Sequence, residues 1–223
     1  MSDKSGAPPE RQTVSVWDPV VRIGHWVIVI GFFTAYLSGD EWLSGHVWAG
    51  YAVATVVAVR TIWGFVGPKH ARFTSFVRGP NAVIEYLSGL RSGTAKRHLG
   101  HNPAGAAMIM ALLVSLSVTT VSGMALLAVE EGQGPFAEFV TSQSDTKQAA
   151  QTRSYEGSDD DEYDDHRDDD EGAEELLEGI HSAFTYLTLG LIALHILGVI
   201  LSSVMHKENL MLAMVTGQKR TDE

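Results

Sequence analysis

The sequence contains no cysteine. That absence excludes disulfides, thiolate zinc sites, cysteine-ligated iron–sulfur clusters and thioether-attached haem. Any metal centre must therefore rely on histidine, methionine, carboxylate or tyrosinate. Positive charge is missing or scarce in two stretches. Residues 38–45, "SGDEWLSG", have no Lys or Arg, and residues 130–179 contain only Lys147, Arg153 and Arg167 against a large acidic excess. A cleavable leader is not evident either. The polar, proline-containing stretch Met1–Pro19 is not followed by a short apolar core and a small-residue cleavage site, so the first apolar run is expected to be a retained helix.

Four long apolar runs are present, at Val20–Leu37, His46–Val66, Ala104–Val129 and Ile180–Met205. A helix needs about 20 apolar residues to cross a bilayer. A water-soluble bundle would show polar stripes at helical spacing, whereas "MIMALLVSLSVTTVSGMALLAV" and "YAVATVVAV" are apolar on all sides. The expected fold is an all-α integral membrane four-helix bundle. Its parts are a tail over 1–19, three spans over 20–129 with a connection at 67–103, an acidic loop over 130–179, a fourth span over 180–206 and a second tail over 207–223.

Lys and Arg collect on the cytoplasmic side of membrane helices. Lys4, Arg11 and Arg22 stand at the first helix, and Arg60, Lys69, Arg72, Arg78, Arg91, Lys96 and Arg97 stand at or within the second connection. Lys207, Lys219 and Arg220 follow the fourth helix. Both termini are thus expected inside, with the first and third loops outside, in a multi-pass protein of the bacterial inner membrane. "NAVIEYLSGL" reads as a short amphipathic helix at the inner surface. "SDDDEYDDHRDDDEGAEELLEG" reads as a solvated, mobile spacer, or as a docking surface for a basic partner. Its carboxylates lack the glycine-hinged spacing of an EF-hand, and no nucleic-acid partner is expected.

Four of the nine histidines, His25, His46, His181 and His195, lie inside or at the mouth of an apolar helix. Ionisable groups there are costly and usually face a partner. His181 and His195 are about 21 Å apart along a helix axis and within roughly 40° of one face. By topology, His25 shares a depth with His195 and His46 shares one with His181. Haem iron needs only axial ligands from the protein, and histidine is a common one; zinc would want further ligands. Two b-type haems on His25/His195 and His46/His181 are therefore expected, with Gly50 and Gly198 permitting close approach. Arg22 and Arg60 are candidates for haem propionates or for positive-inside anchoring. Trp26, Trp48 and Trp63 lie near the membrane interfaces. His101, in "GHNPAGA", is structural or contacts a cofactor from the inner side, while His70, His98, His166 and His206 read as surface histidines.

The stretches "VWDPVVRIGHW", "HVWAGYAVATVVAVRTIWGFVGPKHARF", "GHNPAGAAMIMALL" and "HSAFTYLTLGLIALHILGVILSSVMHKENLMLAMVTGQKR" resemble the bacterial cytochrome b-561 family, which includes the b-type cytochrome subunits of nickel–iron hydrogenases. The resemblance covers nearly all of the chain except Glu131–Glu178. It implies four membrane helices, two bis-histidine b haems on the same pairs, and electron transfer between quinone and a redox partner. The acidic loop is longer and more charged than the family pattern. A basic c-type cytochrome or another extracytoplasmic redox protein is the expected partner. The alternatives are a stand-alone quinone oxidoreductase acting on a small oxidant or reductant, and a hydrogenase membrane anchor. A quinone site is expected near His101, Asn102 and Arg60. A metal or proton transporter is the competitor from another class, but the internal repeats and broken helices of transporters are not evident.

Overall fold

The computed structural model describes residues 13–15, 18–39, 41–68, 71–94, 102–142, 165–205 and 209–220, with side chains except at 13–15, 91, 165–171, 219 and 220. His70, His98, His101, His166 and His206 fall outside the described residues. In chain order the elements are β1 (Thr13–Ser15), α1 (Pro19–Ser38), α2 (Leu43–Val66), α3 (Phe73–Phe76), α4 (Pro80–Ser92), α5 (Pro103–Glu130), α6 (137–142), α7 (Asp165–Met205), α8 (Leu210–Thr216) and β2 (Gln218–Arg220).

Four helices, α1, α2, α5 and the Gly172–Met205 part of α7, are long and apolar enough to cross a membrane. Their outward faces carry large apolar side chains that water would not tolerate in such number. Ile30 is 66% exposed, Leu37 76%, Ile62 62% and Val204 71%, which is the surface of a protein solvated by lipid. Among the described residues the architecture is all-helical apart from one small two-stranded sheet, in which β1 pairs antiparallel with β2, Thr13 opposite Arg220.

Local chemistry sets the helix starts. Asp18 accepts a hydrogen bond from the Val20 amide at 2.7 Å, and Pro19 follows it at the first helical position. Asn102 does the same for Gly105 at 2.7 Å ahead of Pro103. A side-chain acceptor at the cap followed by proline satisfies one orphan amide and removes another. Asn209 caps α8 through the Leu212 amide at 2.9 Å, and Gly217 ends that helix with φ +80°, a left-handed conformation that suits glycine.

Helix α7 runs for 41 residues from Asp165, whereas the fourth helix was expected to start at Ile180. The extra length has a physical source. "GAEELLEG" is rich in strong helix formers, acidic residues favour a helix N-terminus, and the apolar span supplies the nucleus from which a helix extends cheaply. At about 1.5 Å per residue the helix is roughly 60 Å long, twice the hydrocarbon thickness of a bilayer.

Packing divides the chain into two compact units. One comprises Met1–Val29, Ala58–Met110 and Ala193–Glu223; the other comprises Ile30–Val57 and Ala111–Ile192. The first contains 13 Lys and Arg against 7 Asp and Glu, and is called the basic unit below. The second contains 3 against 20 and is called the acidic unit.

In the acidic unit α1 and α2 pack closely at Gly31, where an added Cβ would lie 2.8 Å from Val53 Cγ2. Helices α5 and α7 are joined by a buried hydroxyl pair, Ser115 Oγ and Thr188 Oγ1 at 2.7 Å, the polar adhesive usual between membrane helices. In the basic unit α3 places Phe73 flat against Gly64, with Phe65 and Phe76 edge-on to its ring at 5.4 and 6.0 Å. Helix α4 is seated by buried Tyr86, which hydrogen-bonds Ser202 of α7. It leaves Ile84 and Leu87 exposed one turn apart, an apolar edge suited to the membrane surface.

Candidate functional site

In the acidic unit, α2 contributes His46 and α7 contributes His181, with ring centroids 6.0 Å apart and ring planes at 65°. Each imidazole is held by a backbone carbonyl from a third or fourth helix. His46 Nδ1 lies 2.9 Å from Ala35 O of α1. His181 Nδ1 lies 2.9 Å from Thr119 O of α5 and 3.4 Å from Ser122 Oγ.

A carbonyl oxygen only accepts, so both Nδ1 atoms carry the proton and donate it. Each Nε2 is left with its lone pair, the arrangement typical of metal-ligating histidine. The two carbonyls are reachable for different reasons. Ala35 lies in the last turn of α1, where carbonyls run out of helical donors. Thr119 lies in mid-helix, and it is reached because residue 123, one turn on, is glycine. A Cβ there would come within 2.8 Å of His181 Cε1.

Two metal–imidazole bonds of about 2 Å each, added to the nitrogen-to-centre distances of the two rings, span roughly 6 Å. The observed separation of the rings matches that span. Among the described residues there is no group of three or more His, Asp or Glu that would hold a metal ion. A pair of imidazoles suits an iron that brings four donors of its own. Beside Gly50, one turn after His46, nothing lies within 4 Å of where a Cβ would stand.

In the basic unit, α1 contributes His25 and α7 contributes His195, close enough to interact electrostatically. His25 also meets Trp26 edge-on at 5.4 Å. The surroundings differ from those of the other pair. His25 Nδ1, Arg22 Nε, Arg60 Nη1 and Trp63 Nε1 are all buried and lack a hydrogen-bond partner among the described residues. All four come from α1 and α2. Arg22 and His25 are one turn apart on α1, and Arg60 and Trp63 are one turn apart on α2, so each couple shares a helix face. Buried, unmatched donors are costly; this set, two of them cationic, complements the carboxylates of a porphyrin. Arg60 is fixed by its Cζ lying 5.1 Å from the Phe73 ring centroid, and Arg22 donates through Nη2 to Val215 O at the end of α8.

The structure thus brings His46 to His181 and His25 to His195, and keeps Arg22 and Arg60 in the unit that holds the second pair. Sequence reasoning missed Gly123, Ala35, Thr119 and Phe73. Gly123 alone left a trace, as an isolated glycine within an otherwise apolar helix.

Membrane-spanning helices that carry histidines in facing pairs, without thiolates or clustered carboxylates beside them, are the build of a membrane cytochrome. The chain belongs to the prokaryotic cytochrome b561 family, whose profile matches residues 16–217. Membership implies a b-type haem cofactor and a place in the inner membrane of bacteria.

Several curated relatives carry the name probable Ni/Fe-hydrogenase B-type cytochrome subunit. The one from Bradyrhizobium diazoefficiens is 33% identical over 152 residues, 56% of this chain and 61% of its own length. That from Rhodobacter capsulatus is 29% identical over 153 residues, 56% and 58% of the two chains. That from Azotobacter vinelandii is 31% identical over 157 residues, 58% and 65%. The chain therefore spans less than two thirds of the length of the curated relatives it matches. No solved structure matches it.

Proposed function

We propose that this protein is a dihaem membrane cytochrome that passes electrons between quinone and an extracytoplasmic redox partner. The observation that carries the reading is the pair His46 and His181, 6.0 Å apart and each turned by a carbonyl so that Nε2 is free to ligate. His25 and His195 repeat the pairing in the basic unit. The haems supply one-electron chemistry when bound. The four imidazoles would hold the haem irons, Ala35 O and Thr119 O fix the tautomer of His46 and His181, and the apolar helices exclude water.

Arg22, Arg60 and Trp63 are the groups that meet acceptor oxygens in the basic unit. Quinone binds in the same unit, near Arg60 and Asn102. The strand pairing of β1 with β2 supports both chain ends lying on one side of the membrane, as four spans require; the Lys and Arg distribution makes that side the cytoplasm.

The partner docks at the acidic extension of α7. Glu130, at the end of α5, lies close enough to Glu131 and to Glu174 and Glu178 of α7 to interact with each, and such a field attracts a basic protein such as a c-type cytochrome. The names of the relatives favour a second partner, a nickel–iron hydrogenase. Co-purification with a hydrogenase selects the second; salt-sensitive reduction of a basic cytochrome, lost on deleting Ser158–Glu175, selects the first.

The test of the core reading is a reduced-minus-oxidised spectrum with pyridine haemochrome quantification on the purified protein. Two b haems per chain are expected. One haem, or none, sinks the reading.

A further inference from the structure

The two histidine pairs are set in opposite electrostatic surroundings. Resting on the dihaem reading above, we propose that the His25/His195 site has the higher reduction potential of the two, and that Arg60, held in place by Phe73, is the residue that sets the difference.

Three independent observations carry the same sign. The first is charge fixed in the unit of His25 and His195. Arg22 is one turn from His25, and Arg60, half-buried in the same unit, has a buried Nη1 without a partner among the described residues. A haem iron that takes up an electron, Fe(III) to Fe(II), gains one negative charge. A buried cation stabilises that form, and more strongly where water is excluded. Phe73 holds the Arg60 guanidinium over its ring, and the ring in turn rests on Gly64, so this cation is positioned rather than free to swing into water.

The second is the state of the ligands. His46 and His181 each donate Nδ1–H to a carbonyl. That hydrogen bond makes the imidazole a more basic donor and favours the ferric form. His25 Nδ1 has no such partner among the described residues.

The third is the wider field. The basic unit has an excess of 6 positive charges, and the acidic unit an excess of 17 negative ones. The carboxylates Glu130, Glu131, Glu174 and Glu178 belong to the unit of His46 and His181, where they oppose reduction.

The outcome is a fixed preference. Of the two sites, His25/His195 is reduced first and His46/His181 second. Arg60 is a positioning and tuning residue in this account and touches no iron.

The experiment is a mediated spectroelectrochemical titration of the purified holoprotein, followed at its b-type absorbance band, after the haem count has been made. Two one-electron steps are expected. Arg60→Gln lowers only the upper step, changing its reduced-to-oxidised ratio at fixed potential by about tenfold, which for one electron is about 59 mV. Arg60→Lys recovers part of the shift because the charge returns without the fork, and Phe73→Leu moves the same step by less. Ser122→Ala moves only the lower step.

If Arg60→Gln yields no holoprotein, Arg22→Gln in the same titration decides, with the upper step again expected to fall. A count of one haem overturns the dihaem reading itself. A count of two, with the upper step unmoved by loss of either arginine or with the lower step moving instead, overturns this inference and leaves the dihaem reading standing.

Discussion

The basic and acidic units carry the same donors, two imidazoles each, and treat them differently. In the acidic unit the rings are steered by backbone: His46 by Ala35 O and His181 by Thr119 O, both at 2.9 Å. In the basic unit His25 Nδ1 has no such guide among the described residues, and the unit holds buried side-chain donors instead, on Arg22, Arg60 and Trp63. A carbonyl fixes a ring without adding net charge, whereas an arginine adds charge and leaves the ring free. One protein thus contains two ways of preparing a ligand: orientation from the main chain, and electrostatics from side chains. Matching pairs of imidazoles therefore sit in unlike surroundings.

The largest test of that comparison removes a ligand from each unit in turn. His181→Ala is expected to take the haem count from two to one with the basic-unit cofactor spectrally unchanged, and His195→Ala to do the converse. Haemochrome quantification reads both. Complete retention of haem in either variant breaks the pairing.

The next test challenges the role of the main chain. Gly123→Ala places a methyl within 2.8 Å of His181. Overpacking of that kind costs about 1–3 kcal/mol, and here the ring that must give way is a ligand, so weakened haem retention in the acidic unit is expected. Gly39→Ala is the control, because its methyl would meet His46 Nδ1 at an ordinary 3.6 Å. A thermal melt followed at the haem band separates the two, and equal behaviour would remove carbonyl access as the reason for glycine at 123.

A smaller effect is expected from Thr188→Val, which removes the hydroxyl partner of Ser115 and leaves it only Phe184 O of α7 at 3.4 Å. Interhelical polar contacts in membranes average about 0.6 kcal/mol, so unfolding in detergent and denaturant should shift slightly without haem loss. The smallest sharpens the basic unit alone. Burial pushes the Tyr86 phenol above its ordinary value, with the Ser202 hydrogen bond pulling the other way. A group raised in the folded state contributes fully below its unfolded value, about 10 for tyrosine. That contribution is lost as pH rises through the folded value. Proteolysis or hydrogen exchange at α4 should accelerate above about pH 10, and Tyr86→Phe should abolish that acceleration.

The spans and the histidine pairs were legible because each leaves a one-dimensional trace. Twenty apolar residues in a row mean a membrane helix, and a histidine within such a run is expensive enough to demand a reason. The start of α7 was not legible. A run of like charge reads as solvated chain, yet Glu, Ala and Leu in 171–178 favour helix once an adjoining span has already nucleated it. Nor were the carbonyls of Ala35 and Thr119, since every residue has a carbonyl and only the fold says which ones lie beside an imidazole. Phe73 was hidden for a similar reason. Its partnership with Arg60 depends on the short helix α3 folding back over Gly64.

Arg22 and Val215, joined by a hydrogen bond, lie 193 positions apart in the chain, and the strand pair beside them spans a similar interval. During synthesis the acidic unit has all of its sequence once Ile192 has left the ribosome. The basic unit must wait for the last strand to emerge and close on the first. A chain that stops before Gln218 therefore has every residue of the acidic unit but lacks the strand that pairs with β1 in the basic one.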